Sequence, residues 1–192
     1  MKKYLSLIIT ILVLCACSAD VAEPVIPPDG TDYVTITFDF EKQSGYASNQ
    51  FAVWIEDAEG NLVKTLYVTK FTANGGYKNR PDSITLWVEK ANPAENEIIA
   101  GATPKSGTLD YIWDFTDANG NTVPDGEYTF YVEGSLRWNN SVLYSGVINT
   151  DGGEITTEVK FTYEASDNQP ALTEDSPENS MIVAVAAKGT RF

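Results

Sequence analysis

The sequence predicts an all-β chain of about eight to nine strands, an antiparallel β-sandwich in preference to a barrel. Apolar and polar residues alternate with period two in many short runs, those runs are punctuated by Gly, Asn, Asp and Pro, and no segment shows a convincing helical period. The clearest run is Tyr33-Val-Thr-Ile-Thr-Phe-Asp-Phe40, where Val34, Ile36, Phe38 and Phe40 point one way and Thr35, Thr37 and Asp39 the other. Comparable runs place further strands at residues 51–56, 62–68, 84–89, 109–115, 128–133, 142–148, 155–163 and 181–186. Within 84–89, Leu86 and Val88 are expected to face inward and Trp87 outward.

Two turns nearly repeat. Asp57-Ala-Glu-Gly-Asn61 and Asp117-Ala-Asn-Gly-Asn121 each follow a tryptophan, Trp54 or Trp113, by a few residues. Tight hairpins explain both: Gly60 and Gly120 take positive φ, and the Asp and Asn side chains bond local backbone. The alternate Asp117, Asn119, Asn121 spacing also resembles the start of a calcium loop. However, Thr122 stands where that loop needs glycine and Tyr128 where it needs glutamate, so no metal or other cofactor is expected.

The ends of the chain set the compartment. Lys2 and Lys3 precede an apolar stretch from Tyr4 to Leu14, too short to span a bilayer, which takes about 20 residues. Leu14-Cys15-Ala16-Cys17 resembles the lipobox of bacterial lipoproteins, the alternative being an ordinary secretory signal with a chance cysteine. The expected organisation is a signal peptide over 1–16, a lipidated tether over 17–31, a sandwich domain over 32–187 and a short tail over 188–192. Cys17 would carry the lipid and hold the chain to the bilayer, with Ser18 compatible with outer-membrane sorting. The tether contains Pro24, Pro27, Pro28 and Gly30 and has little to bury. Residues 165–180 are acidic and read as a long loop before a closing strand, or as an appended tail.

Composition narrows the function. After cleavage, 11 basic residues face 27 acidic ones, a net charge of −16 that disfavours nucleic acid and anionic headgroups. The chain has no histidine, which removes Ser-His-Asp and Cys-His catalysis and imidazole metal sites. Carboxylate-pair chemistry, oxygen-ligand binding and recognition remain.

Trp113-Asp-Phe-Thr-Asp-Ala-Asn-Gly-Asn-Thr-Val-Pro-Asp-Gly-Glu-Tyr128 resembles the signature of the immunoglobulin-like domain of flagellar hook-capping proteins. The wider resemblance, from about Tyr33 to Tyr163, is to predicted periplasmic proteins of unknown function that share this signature. Phe51 to Asp57 with Gly60, the Ala100-Gly-Ala-Thr103 segment with Gly107, and Tyr131-Val-Glu133 extend it. Phe115 departs from the pattern, which usually has glycine there. The resemblance implies an antiparallel immunoglobulin-like β-sandwich and a periplasmic compartment, and supplies no catalytic residues. Independently of it, Gly126 and Tyr128 enter a strand as a tyrosine corner does, with Phe130 inward. Trp54, Asp57, Gly60, Trp113, Asp117, Gly120, Gly126 and Tyr128 therefore read as structural.

Partner contacts are sought on long loops. Residues 69–82 carry Tyr77, Lys78 and Arg80, a basic-aromatic cluster on an acidic molecule, and 91–108 form the second candidate. Trp87 and Trp138 are possible contacts for a protein or a glycan, or else covered by the loops. The leading expectation is a non-enzymatic interaction or assembly module of the cell envelope, with an envelope protein as partner. Glycan binding through exposed aromatics is the alternative, and a carboxylate-pair hydrolase the third.

Overall fold

A computed structural model describes residues 32–44, 49–94, 100–137, 140–164 and 181–191 of the chain, the side chains of 136, 137, 140, 163 and 164 excepted. Cys17 and its tether, Trp138 and the acidic 165–180 segment lie outside the described residues. Nine strands are described: β1 Tyr33–Phe40, β2 Gln50–Asp57, β3 Leu62–Val68, β4 Gly107–Trp113, β5 Glu127–Arg137, β6 Asn140–Asn149, β7 Gly153–Thr156, β8 Val159–Glu164 and β9 Ile182–Arg191. They form two antiparallel sheets, one of four strands in the order β4-β1-β9-β7 and one of five in the order β3-β2-β5-β6-β8.

The sheets face each other across one core. Val34, Ile36, Phe38 and Phe40 of β1 meet Phe51, Val53 and Ile55 of β2 and Phe130 and Val132 of β5, all buried. Phe38 and Phe40 pack on Phe51 with ring centroids 5.6 and 5.1 Å apart. This is the inward half of the period-two pattern, and it makes the molecule the predicted all-β sandwich.

Three expectations are corrected. Residues 84–89 are not a strand: α2, Thr85–Ala91, replaces it, preceded by the short α1, Lys70–Ala73, and a 3-10 turn over Gly76–Lys78. The apolar residues there also satisfy a helical stripe, Ile84, Trp87, Val88 and Ala91, at i, i+3, i+4 and i+7. That stripe buries Ile84, Trp87 and Ala91 and leaves Leu86 exposed, reversing the expected facing of Trp87 and Leu86. Second, the 155–163 run splits into β7 and β8, which belong to opposite sheets. The crossing falls at Thr157, whose N–H donates to Ala187 of β9. Third, residues 188–191 are no tail, because β9 runs to Arg191 and pairs Gly189 and Thr190 with Val34 and Tyr33 of β1.

Candidate functional site

Two regions of the sandwich, one end and one outer face, are built differently. At one end lie the repeated turns, and they fold alike. In the first, Asp57 Oδ1 accepts from the N–H groups of Glu59 and Asn61 at 3.1 and 2.7 Å, and Oδ2 accepts from Asn61 Nδ2 at 3.0 Å. In the second, Asp117 Oδ1 accepts from Asn119 and Asn121 at 2.8 and 2.9 Å, and Oδ2 from Asn121 Nδ2 at 3.1 Å. Gly60 and Gly120 stand at φ 79° and 81°, where only glycine is unstrained.

Both carboxyls are held below their ordinary value of 3.8. For Asp57 burial pushes upward, but the Asn61 side chain and the backbone of Asn61 and Glu59 outweigh it. For Asp117 the Asn121 side chain acts first, then the Asn121 backbone. The second turn touches β3, the strand that follows the first, through the Ala118 N–H, which donates to Val63 O at 3.0 Å and occupies part of the β3 edge. Between the turns opens a cleft of 390 Å³ lined by residues including Asp57, Val63, Asp117, Val123 and Tyr128.

Behind the cleft the signature residues pack. Tyr128 Oη donates to Pro124 O at 2.8 Å, and its ring lies edge-on to Trp113 at 5.0 Å. Phe115 sits at φ 53°, the left-handed region in which a non-glycine residue costs about 1–3 kcal/mol. That conformation is the physical reason a glycine is usual there. The Phe115 ring nevertheless stays buried, beside Trp113 and beneath the Arg191 guanidinium at 4.8 Å. Arg191 in turn pairs with Asp125 at 2.6 Å.

The second region is the helical insertion between β3 and β4, which covers the outer face of the five-stranded sheet. Ala52 and Trp54 of β2 point away from the main core and are buried with Val68, Ile84, Trp87 and Ala91 in a second cluster. Trp54 stacks on Tyr131 of β5 at 5.0 Å. A seven-residue helix is too short to be stable alone. Ile84 before it and Asn92 after it both stand in the left-handed region, at φ 42° and 43°.

The sheet supplies what α2 lacks. Glu133 of β5, buried, accepts the N–H groups of Leu86 and Trp87 at 3.1 and 2.9 Å, and Ser135 Oγ accepts that of Ile84 at 2.8 Å. At the other end of the helix Lys90 Nζ reaches Glu56 at 3.1 Å and the Gly60 carbonyl at 2.6 Å. An anion at the first turn and a cation at the last match the helix dipole. Trp87 Nε1 donates to Thr65 Oγ1 at 3.1 Å across the middle. A buried hydroxyl-amide group fixes α1: Thr69 and Thr72 donate to Gln50 Oε1 at 2.6 and 3.1 Å, and Thr72 meets Ser83 at 3.3 Å.

The outward side of this cover is of another character. Phe71 is 49% and Leu86 40% exposed, two of the three large hydrophobic residues so exposed among the described residues. The Phe71 ring lies against Gly76, in space a Cβ there would need. Lys78 Nζ stands 5.8 Å over the Tyr77 ring, while Arg80 pairs with Asp82 at 3.2 Å. Tyr77 is thus partly exposed on this surface, whereas the Arg80 side chain is only 16% exposed and is held by Asp82. Trp87, wholly buried with its indole N–H bonded, lies beneath it and is not available to stack on a ligand. Sequence reasoning missed Lys70, Phe71 and Leu86 as surface residues and Glu56 and Glu133 as anchors. The 84/87/88/91 stripe was the signal that locates the helix and so identifies its outward residues.

Both regions belong to one class of protein, a two-sheet antiparallel sandwich carrying a helical cover. Residues 31–166 match the family described as predicted periplasmic protein (DUF2271), and the chain belongs to that family. The family's description places it in the periplasm, and the matched span takes in both turns and the whole cover. No curated protein and no solved structure matches the chain. Among the described residues no group of three or more acidic, cysteine or histidine side chains is placed to hold a metal ion, and no helix is long and apolar enough to cross a membrane.

Proposed function

We propose that this protein is a lipid-anchored, non-enzymatic interaction module of the bacterial cell envelope, and that the helical cover is its recognition surface. The observation that carries the reading is the division of labour within the cover. Its polar groups bond downward into the sheet, while Phe71, Leu86, Tyr77 and Lys78 are left at or near the surface on a rigid support. Side chains held ready on a fixed scaffold bind without an ordering cost. An assembly role also accords with the resemblance of Trp113–Tyr128 to hook-capping proteins.

The Leu14–Cys17 lipobox supports anchoring through acylated Cys17, with outer-membrane sorting favoured by Ser18. β1 begins at the turn end, where Val34 pairs with Trp113. Residues 17–31, fully extended, would give the domain a reach of at most about 50 Å from the anchor.

The test uses the full chain in cells, with Cys17→Ser as control and a photo-crosslinking residue at Phe71. The native chain should incorporate labelled palmitate and fractionate with membranes, and the control should do neither. Position 71 should give one discrete protein adduct where the exposed position 160 gives none. Membrane fractionation that ignores the Cys17 change, or the same background from both positions, contradicts the proposal.

A further inference from the structure

We infer that the partner of the cover is an acidic polypeptide segment carrying apolar side chains. This rests on the interaction reading above and adds the chemistry of the occupant. The argument is one of charge and its distribution. Residues 69–92 contain Lys70, Lys78, Arg80 and Lys90 against Asp82 and Glu89, a net +2 that becomes +1 once Glu56, the partner of Lys90, is counted, within a chain whose net charge is −14. Two of the four cations are committed to the fold: Arg80 to Asp82 and Lys90 to Glu56. Lys70 and Lys78 are exposed, and no carboxylate among the described residues pairs with either.

These two lysines bracket the exposed apolar residue. Phe71 follows Lys70 and lays its ring on Gly76, next to Tyr77 with Lys78 above it. The Thr72–Ser83 contact brings the start of α2 alongside, and with it the exposed Leu86. The surface therefore offers two positive charges around an aromatic and an aliphatic side chain, with one exposed carboxylate, Glu89, further along α2. Its complement is an extended segment in which acidic residues flank apolar ones.

Charge also separates this partner from other anions. A nucleic acid or an anionic bilayer is a dense, extended array that meets the acidic body of the domain as well as its cover. A short acidic segment engages the cover alone, since exposed charges beyond about 8 Å are screened at physiological ionic strength.

The experiment titrates the folded chain with a fluorescent peptide of alternating glutamate and leucine, with its lysine-leucine counterpart, and with vesicles containing anionic phospholipid. The glutamate peptide should shift NMR resonances within 69–92 and leave those of the 57–61 and 117–121 turns in place. Its affinity should fall as salt rises from about 50 to about 300 mM. It should fall about five- to tenfold in Lys70→Gln/Lys78→Gln, as expected for two exposed charges, and stay unchanged in Lys105→Gln/Lys160→Gln. Absence of binding at low salt, binding indifferent to the Lys70/Lys78 change, or binding to vesicles but not to the peptide each overturns the inference. A Phe71 adduct in cells without peptide binding overturns the acidic-partner assignment alone, whereas loss of the adduct overturns the interaction reading itself.

Discussion

The turn end and the cover handle their polar groups in opposite ways. At the turn end the two turn-forming carboxylates are satisfied within five residues of chain, Asp57 by Glu59 and Asn61 and Asp117 by Asn119 and Asn121. In the cover the anchoring bonds span the sequence: Glu133 lies 46 residues from Trp87, and Lys90 34 residues from Glu56. Local bonds set the shape of each turn, and long-range ones only add to it, from Lys90 to the Gly60 carbonyl and from Ala118 to Val63. Long-range satisfaction makes the cover dependent on the sheet beneath it and turns its remaining side chains outward. The turn end is therefore a structural device, and the cover a platform.

The contrast can be broken at the cover first. Trp87→Ala empties the centre of the second cluster and should cost about 3–5 kcal/mol, read from the denaturant midpoint. A loss below about 1 kcal/mol would mean that the cover is barely coupled to the sandwich. Glu133→Ala should cost roughly 2–3 kcal/mol by leaving two buried N–H groups without an acceptor. Amide exchange at Leu86 and Trp87 should then quicken far more than at Val53 or Val132, whereas equal acceleration throughout would refute a separate anchoring role.

Changes at the turn end should be smaller. Tyr128→Phe removes the bond to Pro124 and should cost about 1 kcal/mol, leaving the amides of α2 undisturbed. The mildest effect is on pH dependence. Because Asp57 and Asp117 titrate below 3.8 when folded, their stabilisation is present above the unfolded value and is lost as pH falls through the lower folded values. Stability should therefore decline on acidification below about pH 4, and Asp57→Asn/Asp117→Asn should flatten that decline. An unchanged slope in the double variant would show that the turns contribute nothing to it.

The same contrast explains how much the sequence could tell. β1 and β3 start and end where alternation and turn residues put them, because each run faces a single core and is bounded by its own punctuation. The twin turns were legible for the same reason: every interaction that makes them is local. The cover was misread because Ile84, Leu86 and Val88 alternate like a strand, while Ile84, Trp87, Val88 and Ala91 fit a helix equally well. The choice was made by Glu133 and Ser135, far away in sequence. The β7–β8 break was hidden because Thr157 and Glu158 carry no turn signal. Its cause is a bond to Ala187 of β9.

The central claim is that the cover, and not the turn end, meets the partner. Lysine-acetylation footprinting tests it directly, by comparing the purified chain with the same chain in the intact envelope. Lys70 and Lys78 should be protected in the envelope, while the exposed Lys160 and Lys188 react equally in both. Equal reactivity of all four lysines in both settings would contradict the account.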